Sequence, residues 1–238
     1  MFSTVKWKLK TISSVMRVFY RSTGDKQDTN VKIKASSGIL MSNTPNSGCI
    51  FAKGWMSLIL LEGRSCYLRI LTEEDAVIFT ALLSANREYW SVFEPRHEDS
   101  YFTVSVQREK IREALYQMRN RREYNFGIFD AETSRLIGHI SLYSIKRLPF
   151  SSGFVGYSID KPETGRGLGT EALDLVTKFA FEKLALHRIE AFVSPRNSGS
   201  VKVLEKSGYT REGLLRKLLY INGVWEDHYM YAMVEDDY

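Results

Sequence analysis

The run Gly165-Arg166-Gly167-Leu168-Gly169 constrains this chain more than any other stretch. It follows a short apolar segment, Phe154 to Ile159, that reads as a strand closed by a polar, proline-containing loop. It precedes a helical pattern in which Leu168, Ala172, Val176, Phe179, Ala180 and Leu184 recur at steps of three and four. The glycines therefore sit where a strand hands over to a helix. The first N–H groups of such a helix lack internal partners, and its dipole favours negative charge there. Glycine also lets the backbone approach a ligand that a Cβ would hold away. The spacing predicts a phosphate or pyrophosphate seated on Arg166, Gly167, Leu168, Gly169 and Thr170, with a plain glycine-rich turn as the alternative. A P-loop is excluded because no Gly-Lys-Ser/Thr closes the run, and the dinucleotide fingerprint is not met because the third glycine comes one residue early.

The length of 238 residues allows one large domain or two small ones. The net charge of +5 is unevenly held. Residues 1–58 carry nine basic side chains against two acidic ones, which leaves residues 59–238 at −2. A near-neutral body offers no electrostatic footprint for nucleic acid, so direct nucleic-acid binding is not expected. The two cysteines, Cys49 and Cys66, make neither a disulfide framework nor a metal-ligand spacing. A reducing, cytoplasmic setting without a metal is the simplest expectation. No run approaches the roughly 18 apolar residues that a membrane span requires, so no membrane partner is expected.

Residues 1–58 alternate basic patches with Ser/Thr/Asn/Gly-rich stretches and show no sustained periodicity. They read as a disordered extension or as residues preceding a true start at Met56. A transit peptide and a basic arm that touches RNA or an acidic surface are the competing readings.

From Leu60 the chain becomes regular. Ser65 to Leu71 alternates as a strand, and Thr72 with Asp75 offers a near capping box for a helix to about Ala85. Ile111, Ala114, Leu115 and Met118 mark a second helix that runs to about Arg121. Tyr124 to Phe129 and Leu136 to Ile145 read as a hairpin, followed by the strand and helix around the glycine loop. His187 to Val193 is another strand, and Asn197 is a natural N-cap for a helix closed by Gly208. Asn222-Gly223 joins two final strands.

Several of these segments carry a resemblance. Thr164-Gly165-Arg166-Gly167-Leu168-Gly169 resembles the acyl-CoA pyrophosphate loop of the GNAT acyltransferases, except that Thr164 stands where the loop usually opens with Arg or Gln. Asn86 to Pro95, Gly156-Tyr157-Ser158-Ile159, the segment from Asn197 to Tyr209, and Asn222 to His228 resemble, in the same order, stretches of the ribosomal-protein-alanine N-acetyltransferases. The resemblance covers about Leu60 to Val234.

It implies a GNAT domain over residues 59–238: an α/β fold with one mixed, mostly antiparallel sheet, flanking helices and two splayed central parallel strands. Acetyl-CoA would be the co-substrate, its pantetheine arm pairing with the backbone of Ser158 and Ile159 and contacting Asn197. Ser200 would protonate the departing thiolate, and Glu190 or Glu94 would serve as the base. Asn197 also reads as a simple cap, Ser200 as a surface serine, and each glutamate as a solvated or salt-bridged side chain. Trp90, Glu94 and Tyr157 are candidates for the acceptor side. The partner implied is a protein N-terminus, for example of a ribosomal protein. The alternatives are acetylation of a small-molecule amine, or an acyl-CoA- or RNA-binding protein without turnover.

Overall fold

The computed structural model describes residues 59–238. The expectations for residues 1–58, the start at Met56 and Cys49 included, lie outside the described residues.

Among the described residues eight strands form one sheet: β1 (Leu60–Glu62), β2 (Cys66–Ile70), β3 (Tyr124–Asp130), β4 (Leu136–Lys146), β5 (Ser152–Ile159), β6 (Arg188–Val193), β7 (Thr210–Ile221) and β8 (Val224–Val234). Their order is β1-β2-β3-β4-β5-β6-β8-β7. Every neighbouring pair is antiparallel except β5 with β6. The helices are α1 (Ala76–Ala85), α2 (Arg87–Trp90), α3 (Val104–Arg119), α4 (Leu168–Glu182) and α5 (Ser198–Lys206).

Local chemistry sets these boundaries. Asp75 accepts the Thr72 backbone N–H at 2.7 Å and pairs with Arg69 at 2.7 Å, which fixes the turn leading into α1. The helix α3 begins at Val104, ahead of its apolar marks, because its first turns are polar. Among them Gln107 is buried, donating to the Tyr101 carbonyl at 2.6 Å. Asn197 caps α5 by accepting the Ser200 N–H at 3.1 Å, as expected. Gly208, with φ +81°, closes that helix, and Asn222-Gly223, with φ of 51° and 93°, turns the last hairpin.

Alternation along the strands sorts the side chains into two cores. On one face Leu68, Phe126, Ile140, Val155 and Ile189 pack with Leu168, Leu173 and Val176 of α4. On the other, Leu83, Trp90, Ile111 and Phe129 pack together.

The parallel pair is incomplete. β5 and β6 are joined only at Ser152–Arg188, Gly153–Ile189 and Phe154–Glu190. Beyond that point β5 continues on β4 as far as Ile159, and β6 continues on β8 as far as Val193. Val155 to Ile159 and Ala191 to Val193 therefore face one another across a slot with no ladder between them. Backbone groups along such an edge need partners from elsewhere.

Candidate active site

The slot opens towards the glycine loop. After β5, Asp160 is buried, Lys161–Glu163 makes a single 3-10 turn, and Gly165 and Gly167 follow with φ +82° each. Side chains rarely adopt that conformation, and a Cβ at either position would meet nothing within 4 Å. The demand for glycine here is thus a backbone demand, and the space before α4 is open. Gly167 is the N-cap of α4, so the N–H groups of Leu168, Gly169 and Thr170 stand at the positive end of the helix dipole.

A buried amide holds the start of this loop. Asn86, 1% exposed, donates to Leu82 O at 3.0 Å and to Asp160 Oδ1 at 2.9 Å, and accepts the Lys161 N–H at 2.9 Å. Asp160 in turn accepts from Arg135 at 3.1 Å, and Glu163 pairs with both Arg135 and Arg166. The Trp90 indole donates to the Ile159 carbonyl at 3.0 Å, fixing the last residue of β5.

The slot and the loop enclose one cavity of about 310 Å³. Trp90, Glu94, Tyr157, Ser158, Ile159, Gly167, Leu168, Gly169, Thr170, Asn197 and Ser200 all line it. Two of the predicted site residues do not. The Arg166 side chain turns to Glu163 and Asp130, leaving only its backbone at the loop. Glu190, on the last residue pair before the strands part, is held by Arg188 at 2.6 Å, which also pairs with Glu212.

Consecutive residues of β5 point to opposite faces, and the site divides accordingly. On the face of α1 and α3, the Ser158 hydroxyl donates to Glu94 Oε1 at 2.7 Å. Burial raises the Glu94 carboxyl above its usual range, and the Ser158 hydrogen bond offsets only part of that. On the face of α4 and α5, the Tyr157 and Ser200 hydroxyls are 2.9 Å apart, and Tyr157 also donates to the Ser200 carbonyl at 3.2 Å. Burial pushes the Tyr157 phenol well up, so it stays protonated. Tyr157, expected on the acceptor side with Glu94, has its hydroxyl on the other side of the strand because of this alternation.

Sequence reasoning missed the contact of Tyr157 with Ser200 and the supporting role of Asn86. A signal was available for the first: Tyr157 and Ser158 are neighbours in a strand, so one of them had to leave the Glu94 face. Cys66 is fully buried, and burial, with Glu171 and Asp130 nearby, pushes its thiol up to about 12. It is no nucleophile at neutral pH.

A sheet parted at its one parallel pair, with a glycine loop at a helix N-terminus behind it, defines an acyltransferase fold. The chain belongs to the GNAT family: residues 66–210 match the acetyltransferase (GNAT) domain. It is an N-acetyltransferase by that match and by its relatives. It is 46% identical over 178 residues to the probable N-acetyltransferase YjcK of Bacillus subtilis (strain 168), covering 75% of this chain and 98% of that protein. The [Ribosomal protein uS5]-alanine N-acetyltransferase of Escherichia coli (strain K12) is 27% identical over 171 residues, 72% of this chain and 88% of the relative. Among solved structures, the ribosomal-protein-S5-alanine acetyltransferase from Vibrio fischeri superposes with a TM-score of 0.72 at 32% identity, over 75% of this chain and 98% of the other. Among the described residues no helix is long and apolar enough to cross a membrane.

Proposed function

We propose that residues 59–238 form the catalytic unit and that it transfers an acetyl group from acetyl-CoA to the α-amine at the N-terminus of a polypeptide, Ala- or Ser-first, such as a ribosomal protein. One observation carries the reading. A half-buried carboxylate, Glu94, and a hydroxyl pair, Ser200 with Tyr157, reach the same unpaired stretch of β5 from opposite faces of the sheet. The names of the relatives, two of them ribosomal-protein alanine acetyltransferases, point the same way. A ribosomal-protein acceptor places the reaction in the cytoplasm.

The residues fit acetyl-CoA. The backbone N–H groups from Arg166 to Thr170 take its pyrophosphate, and Ser158, Ile159 and Asn197 border the pantetheine arm. Bound acetyl-CoA supplies an activated acetyl thioester, which the amine attacks directly. Glu94, raised by burial, takes the proton from the ammonium on one face. On the other face Ser200, positioned by Tyr157, relays to the departing thiolate the proton that the attacking nitrogen loses as the amide forms, and is left a neutral hydroxyl. That thiol has a pKa of about 8.5, so a weak donor suffices. Trp90 borders Glu94 and closes the acceptor side. Glu190 has no place in this scheme, because Arg188 occupies it.

The test is a panel of acceptors incubated with the protein and acetyl-CoA and read by mass spectrometry. An Ala-first peptide should be acetylated at its first residue, well ahead of a polyamine or an aminoglycoside. Preferential acetylation of the small amines would overturn the reading.

A further inference from the structure

Three aromatic rings lie in a row across the sheet beside the slot. Tyr143 of β4 and Phe154 of β5 are register partners, and their rings stack at 5.9 Å. The Phe154 ring meets that of Phe192 on β6 at 5.0 Å, just where the two strands part. All three are half-buried. Strand alternation puts them on the face that carries Ser158 and Glu94, since Phe154, Gly156 and Ser158 point the same way. Gly156 leaves that face bare between the rings and Ser158, and a Cβ there would touch only the Tyr143 ring, at 3.5 Å.

Of the helices on this face, α1 packs on β4 and α3 on β3. The charges at the border of the row are satisfied among themselves, since Arg188 binds both Glu190 and Glu212. What remains is a half-buried aromatic strip, four residues along β5 from the half-buried Glu94 carboxylate at Ser158. At about 3.4 Å per residue, Ser158 and Phe154 are about 14 Å apart, the span of about four extended residues.

We propose that this row seats the fourth and fifth residues of the acceptor polypeptide and selects apolar or aromatic side chains there, with the α-amine at Glu94. The inference rests on the α-amine reading above and adds a substrate class to it. Charge complementarity chooses the occupant: one end must present an ammonium to Glu94 while the following residues offer apolar surface to the rings. A chain with a free N-terminus does both. A second copy of the protein laid on the strip would cover the approach to the slot.

The experiment uses the full chain, saturating acetyl-CoA and a set of Ala-first peptides whose positions four and five are Phe/Leu or Asp/Ser. The apolar peptides should show at least a tenfold higher kcat/KM. Phe154→Ala should shrink that preference to about twofold by raising the KM of the apolar peptides while leaving the KM for acetyl-CoA unchanged. Phe192→Lys, at a half-exposed position, should turn the preference towards the acidic peptides. Equal kcat/KM across the peptides in the native protein, or a preference unchanged in both variants, would overturn the inference and leave the α-amine reading standing. Acetylation of none of the peptides would contradict the α-amine reading itself, and the inference with it.

Discussion

The hydroxyl of Ser158 donates to Glu94 at 2.7 Å, so a carboxylate from the loop after α2 is tied to the unpaired edge of β5. The tie puts Glu94 at the slot and keeps it half-buried, and the desolvation favours its neutral form. A carboxyl whose folded pKa is raised contributes stability at low pH that is lost as pH rises above its unfolded value. At neutral pH the ionised Glu94 is therefore a cost to folding that serves proton transfer.

Glu94→Gln separates these two effects. It should lower kcat by about a hundredfold, in the range typical of a lost general base, with the KM for acetyl-CoA unchanged. The acidic limb of the kcat/KM profile, expected above 4.5 in the native protein, should disappear. The same variant should melt at a higher temperature than the native protein at pH 7. A native-like rate in a folded variant would remove Glu94 from the proton path.

Gly167→Asp tests the anion seat. With φ +82° at this position a side chain adds backbone strain, and the carboxylate adds repulsion at the end of α4. Calorimetry should show acetyl-CoA affinity reduced at least tenfold, about 1.4 kcal/mol. Unchanged affinity in a folded variant would move the pyrophosphate elsewhere.

Asn86→Ala should act on the loop from a distance. It removes the donor to Oδ1 of the buried Asp160 and the acceptor of the Lys161 N–H, which costs about 1–3 kcal/mol. Urea unfolding should report that loss, and acetyl-CoA binding should weaken with it. Full stability in the variant would show that the loop is held by the Arg135 and Arg166 ion pairs alone.

His139 sets a pH dependence of stability. Its ring packs against those of Phe79 and Trp90, and burial pushes its pKa down to about 4. The unfolded chain takes up a proton near pH 6.5 that the folded one refuses, so stability should fall as pH drops from about 6.5 towards 4. In His139→Phe, which keeps the packing, the difference in urea midpoint from the native protein should grow in favour of the variant over that window. A constant difference would show that His139 titrates normally.

Much of this was legible in the sequence because it is local. The glycine run at the strand–helix junction, the Asn197 cap, the Gly208 stop and the Asn222-Gly223 turn each declare themselves within a few residues. Which of Tyr157 and Ser158 would meet Glu94 was not legible, because it depends on which face the Asn86–Pro95 segment packs against. Glu190 read as a slot residue from its strand alone. Its capture by Arg188 two residues away, and the attachment of Arg188 to Glu212 on β7, are tertiary facts. The first turns of α3 were unmarked because their buried contact is made by the polar Gln107.

The central claim is that the acceptor is an α-amine. An α-amino group, with a pKa near 7.7–8.0, is about one-tenth free base at neutral pH, whereas lysine near 10.4 is free in about one molecule in two thousand. One half-buried carboxylate of raised pKa suits the first far better than the second. The direct measurement compares an Ala-first peptide with the same peptide blocked at its N-terminus and carrying an internal lysine, assayed by mass spectrometry across pH 6–9. The account predicts rapid acetylation of the free peptide at its first residue and little of the blocked one at any pH. Equal rates for the two peptides would contradict it.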